Sequence, residues 1–151
     1  MIGIGRKTRL KTRRVSKRKN NKPVDWQPAP DIYKRVKGLI ELVKIENVDG
    51  SKIRCVRSLN TSTRAYARIW GLNRVWQLAL EMEPHYVIEV ISEKFDKLDT
   101  SDQDKILLHE IAHIPSNFSG ALLAHTRGSK GSFYGKLKTM EERYENCRNS
   151  R

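Results

Sequence analysis

The chain has 151 residues, 30 of them Lys or Arg and 17 Asp or Glu, for a net charge of +13. That length holds one small domain with an appendage, and no apolar run approaches the roughly 18 residues a membrane span needs. No secretory leader is legible, and the two cysteines, Cys55 and Cys147, form no Cys-x-x-Cys pair, so they read as reduced packing thiols of a cytoplasmic protein.

The charge is concentrated at one end. Residues 1–22 carry ten basic side chains and no acid: Arg6, Lys7, Arg9, Lys11, Arg13, Arg14, Lys17, Arg18, Lys19 and Lys22. The remaining 129 residues hold 20 basic and 17 acidic side chains. The chain therefore divides into a basic N-terminal arm over residues 1–25 and a nearly neutral domain over 26–151. An arm with so little to bury cannot fold alone, but it can displace counterions from phosphates and order on contact. Its expected partner is nucleic acid, with ribosomal RNA favoured over DNA. Arg54, Arg57, Arg64, Arg68 and Arg74 are candidates to extend the basic patch onto the domain.

Pro23, Pro28 and Pro30 predict a stiff junction that Trp26 pins to the domain. A helix over about 31–43 follows from Ile32, Val36, Leu39, Ile40 and Val43 at helical spacing. Asp49-Gly50 marks a turn between strands at roughly 45–48 and 52–58. Residues 60–65 read as a polar loop, about 66–70 as a strand ending at Gly71, and 73–82 as a short helix around Val75, Leu78 and Leu80. His85 to Ser92 is a β-rich run with a single charge, hence mostly buried. Asp99-Thr100-Ser101 starts the next helix, with Asp104 placed to complete a capping box. A last amphipathic helix aligns Phe133, Leu137, Met140, Tyr144 and Cys147.

The helix after Asp99 carries His109-Glu110-Ile111-Ala112-His113. Residues i and i+4 share a helix face, so both imidazoles can reach one ion, while Glu110 lies about 100° round, where it can act on a water. This H-E-x-x-H spacing suits a zinc peptidase with two ligands and a general base. A catalytic zinc needs a third protein ligand. His125 can supply it, because the loop 115–124 contains Gly120 and is long enough to turn back; Glu141 or Glu142 is the fallback. Tyr134, Arg127 and His85 are candidate oxyanion stabilisers by residue type, and the strand at 86–92 is a candidate to pair with an extended substrate.

Longer strings carry a resemblance. They are Ala67-Arg68-Ile69-Trp70-Gly71-Leu72, the run from Pro84 to Leu98, and the run from His109 through Gly120, ending at His125. These strings resemble the small phage metallopeptidase family of archaea and their viruses, over about residues 30–145. The resemblance implies an α+β, minimal zincin-like domain: helices packed on a small mixed sheet, one of them the metal-binding helix. It also implies His109, His113 and His125 as ligands of Zn2+ and Glu110 as catalytic base. Residues Ala121-Leu122-Leu123-Ala124 depart from the Gly-Leu-Arg-Pro type of stretch expected there.

Two functional readings follow. In the first, a zinc metallopeptidase is anchored to nucleic acid, most readily ribosomal RNA, through its basic arm and cuts a protein or peptide substrate there. In the second, an archaeal ribosomal or ribosome-associated protein uses the zincin domain as a docking module without proteolysis. A metal-dependent nuclease fits less well, because a glutamate beside the first histidine suits peptide hydrolysis.

Overall fold

The computed structural model describes residues 22–128 and 131–150. Arg6 through Lys19 of the arm lie outside the described residues, and Lys22 is exposed at their start. The fold is α+β. Strands β1 (Asp25–Pro28), β2 (Ile53–Leu59), β3 (Ala67–Gly71) and β4 (Tyr86–Ile91) form one mixed sheet, accompanied by helices α1 (Pro30–Leu42), α2 (Arg74–Leu80), α3 (Ser92–Phe95), α4 (Thr100–Ala112) and α5 (Phe133–Asn149).

The sheet order is β1-β2-β4-β3. The central pair β2 and β4 is parallel, and β1 and β3 flank it antiparallel. Side chains alternate across the pleat. Tyr86, Ile88 and Val90 of β4 therefore share a face with Ile53 and Cys55 of β2 and Ala67 of β3. All are buried, in one cluster with Val36 and Leu39 of α1, Leu107, Leu108 and Ile111 of α4, and Leu137 and Met140 of α5. Burial of each large aliphatic side chain contributes about 1.5–3 kcal/mol, so this helix-on-sheet layer dominates the folding energy and fixes where α4 lies.

Several local expectations are corrected. Residues 45–48 form no strand, because Lys44 and Asn47 adopt left-handed φ values of 47° and 65° that turn the chain. The proline junction contains β1, an edge strand on which the missing N–H of Pro28 costs little. Asp99 caps α4 by accepting from the Asp102 N–H at 2.8 Å, but Asp104 completes no capping box. It turns inward to accept from Arg35 Nε at 2.5 Å and the Tyr144 hydroxyl at 2.8 Å, tying α1, α4 and α5 together. In α2, Val75, Leu78 and Leu80 face solvent and Gln77 is the buried residue. β4 is an interior strand, so it cannot pair with a substrate; β3 is the edge on its side.

Candidate metal centre

α4 delivers the H-E-x-x-H at its last turn. Leu107, Leu108, Ile111 and Ala112 are fully buried and hold the helix to the core, which leaves His109 and His113 half-buried beside a cleft. Glu110 is 8% exposed and lines the same cleft. His113 is the C-cap residue, with its backbone still near helical geometry.

His125 arrives on the following loop, and the sequence pins that loop at several points. Gly120 has φ +86°, and a Cβ there would stand 2.1 Å from the Leu72 carbonyl oxygen. Gly71, at the end of β3, is equally tight: its Cβ would stand 2.2 Å from the Gly120 carbonyl oxygen. Two glycines thus allow loop and sheet backbones to touch. The buried Tyr86 hydroxyl accepts from the Gly120 N–H at 2.8 Å and donates to the Ala121 carbonyl at 2.9 Å. Gln77 Nε2 donates to the Leu72 and Ser119 carbonyls at 2.6 and 2.8 Å. Finally, the Leu123 N–H donates to the His113 carbonyl at 2.7 Å, and His113 Nδ1 lies 2.6 Å from the Leu123 carbonyl. A carbonyl only accepts, so Nδ1 carries the proton and Nε2 keeps its lone pair for a ligand.

The three imidazoles converge. One ligand nitrogen from each of His109, His113 and His125 lies within 4.8 Å of the others. The His109 and His125 Nε2 atoms are 3.1 Å apart. Nitrogen donors on a tetrahedral zinc, at bonds of about 2.0–2.1 Å, stand roughly 3.3 Å from one another, so the donor set fits such an ion. Phe133, the first residue of α5 and fully buried, floors the cluster; its ring centroid lies 4.9, 4.3 and 4.6 Å from those of His109, His113 and His125.

The electrostatics also suit a cation. Burial, then the neighbouring His113 and His125, push the His109 pKa down to about 4; burial also lowers that of His113. Both rings are thus neutral donors at pH 7. Burial raises Glu110 to about 7, poised to exchange a proton near neutrality. Below the site, Lys136 Nζ donates to the Ile114 carbonyl just past the end of α4, and burial lowers its pKa to about 8.

The cleft has a volume of about 680 Å³, and its walls include β3, Lys105, Leu122 and Glu141. Glu141 lines it without joining the nitrogen cluster. Tyr134 stands near the site, its ring 6.2 Å from that of His125, and the Arg127 guanidinium lies 5.9 Å over the Tyr134 ring. His85 is elsewhere: its Nδ1 contacts the Glu83 carbonyl at 2.8 Å, and it does not line the cleft. Of the arginines expected to extend the basic patch, Arg57 is engaged by Asp31 at 2.6 Å and Arg54 by the Ser51 carbonyl at 2.6 Å. Phe133, Tyr86, Gln77 and the β3 edge are parts of the site that sequence reasoning missed. Only the buried-looking run around Tyr86 and the stripe of α5 hinted at two of them.

A family model described as "Putative phage metallopeptidase" matches residues 24–145. No curated protein and no solved structure matches the chain. Among the described residues, no helix is long and apolar enough to cross a membrane. The match takes in His109, Glu110, His113 and His125, and the histidine cluster is suited to a metal ion. The chain belongs to the family described as "Putative phage metallopeptidase".

Proposed function

We propose that this protein is a zinc-dependent metallopeptidase that cuts protein or peptide segments. The observation that carries the reading is the convergence of three imidazoles beside a buried carboxyl group in an open cleft. His109, His113 and His125 would hold the ion. When bound, zinc supplies Lewis-acid polarisation of a carbonyl and eases the ionisation of a water. Glu110 serves as general base, since burial sets its proton affinity near neutral pH, and it hands the proton to the leaving amine. β3 borders the cleft, and it is an edge strand among the described residues. An extended substrate segment can therefore add to the sheet there through backbone hydrogen bonds. Incubation with an unfolded protein substrate tests this: the zinc-loaded protein should cleave it and Glu110→Gln should not. Equal cleavage by the two would remove Glu110 from the mechanism.

The basic arm, with ten cations in 22 residues, supports anchoring to nucleic acid, ribosomal RNA first, and hence a cytoplasmic place of work. Co-sedimentation with ribosomes should fall steeply with salt and should be lost when residues 1–22 are deleted. Association that survives the deletion would exclude the arm as anchor.

A further inference from the structure

The sheet has a second face, opposite the helical layer. Register and alternation place Trp26 of β1, Ser58 of β2, Glu89 and Ile91 of β4, and Arg68 and Trp70 of β3 on it. Glu89 is the unusual member, a carboxyl group 2% exposed in an interior strand. Its partners are two indoles. Trp26 Nε1 donates to Oε1 at 3.4 Å and Trp70 Nε1 donates to Oε2 at 2.9 Å. The two tryptophans sit on opposite edges of the sheet, at register positions four residues apart along β4, and reach inward to the same residue.

Despite this tether the rings stay open: Trp26 is 59% and Trp70 53% exposed. Burying a carboxyl group is costly, and an aliphatic residue would serve a merely stable sheet better. What Glu89 provides is a fixed orientation for two exposed aromatic rings. Tyr66, just before β3, is also exposed, with the Lys94 ammonium 5.8 Å over its ring. Arg68 lies two residues before Trp70 on the same edge strand, and both it and Tyr66 also border the metal cleft.

Exposed aromatic rings with basic side chains on the same strand suit nucleobases and phosphates. The exposed surface of α2 is different in kind, aliphatic at Val75, Leu78 and Leu80. Position adds a second argument. The ten cations of residues 1–22 precede β1 by only two residues in sequence, and Trp26 is the second residue of that strand.

We propose that the Trp26–Glu89–Trp70 face is a stacking platform for single-stranded nucleic acid, with bases on the two indoles and a phosphate on Arg68. It rests on the nucleic-acid half of the proposed function and adds the surface that tells single strands from duplex.

The test uses the full-length protein with oligo(U), oligo(dT) and a DNA duplex of matched length, each about 12 nucleotides, within the usual single-strand site size. Single strands should quench tryptophan fluorescence and bind about tenfold tighter than duplex, and Trp26→Ala and Trp70→Ala should each weaken that binding roughly tenfold. Trp76→Phe should leave it unchanged. Ultraviolet crosslinking of the unaltered protein, which needs no variant to fold, should attach the strand to Trp26, Tyr66 or Trp70. Equal affinity for strand and duplex without quenching, or crosslinks confined to residues 1–22, would overturn the platform and spare the arm. No binding to any of the three would overturn both. A preference between oligo(U) and oligo(dT) distinguishes an RNA from a DNA ligand.

Discussion

His113 and Leu123 hold each other in both directions: the Leu123 N–H donates to the His113 carbonyl at 2.7 Å, and the His113 Nδ1–H donates back to the Leu123 carbonyl at 2.6 Å. One pair of contacts thus sets the tautomer of a ligand and the path of the loop that brings in His125. Leu123→Pro removes the N–H half of the pair. The Leu123 carbonyl still accepts from the His113 ring in this variant, so what is lost is the tie that sets the loop path toward His125; zinc should bind about tenfold more weakly, measured by competition with a chromophoric chelator. Unchanged affinity would show that the tether does not orient the site.

Phe133 lies under all three imidazoles and is fully buried at the start of α5. Truncation to alanine should cost about 3–5 kcal/mol in urea unfolding, the usual range for a buried aromatic. Zinc affinity should fall as well, because the rings lose their floor. Phe133→Leu should recover most of the stability and less of the affinity. A variant that recovers both equally would make Phe133 a packing residue alone.

Burial holds Glu110 near pKa 7 in the metal-free fold, against 4.5 as the ordinary value. The folded protein therefore binds a proton that the unfolded chain has released between pH 4.5 and 7, and Glu110 lowers stability as pH rises through that window. Glu110→Gln removes this penalty. Chelator-treated Glu110→Gln should exceed the wild type at pH 8 by roughly 2–3 kcal/mol, with the difference gone below about pH 4.5. A difference that persists at pH 4 would assign the gain to packing instead.

Asp104 couples three helices through Arg35 and Tyr144, and it is 8% exposed. Asp104→Asn keeps the size but leaves the Arg35 guanidinium without its anion, which should cost about 3 kcal/mol in chemical denaturation. Zinc content should stay at the wild-type level, since the contact lies away from the cluster. Loss of zinc would mean that the helix packing positions the ligands directly.

Much of this architecture was legible in periodicity. α1, α4 and α5 followed from apolar residues at helical spacing, and β2, β3 and β4 from β-rich runs between turn signals. The misreadings have physical causes. Lys44 and Asn47 bend the chain through left-handed backbone geometry, which the apolar pattern does not encode. Asp104 looked like a local cap, but its partners are 69 and 40 residues away. The run at 86–92 reads as a candidate substrate partner, but burial on both faces is the mark of an interior strand. In the site, helix spacing alone juxtaposed His109 and His113. The approach of His125 depends on Gly71, Gly120, Tyr86 and Gln77 meeting across the fold, and no local pattern announces that meeting.

If His109, His113 and His125 together hold one zinc ion, elemental analysis of the purified protein should find it. The expected content is about one zinc per chain, with little or none in His109→Ala, His113→Ala or His125→Ala at matched folding. Zinc-free wild-type protein that fails to take up added zinc, or a His125→Ala variant that retains it fully, would rule out a three-histidine zinc site.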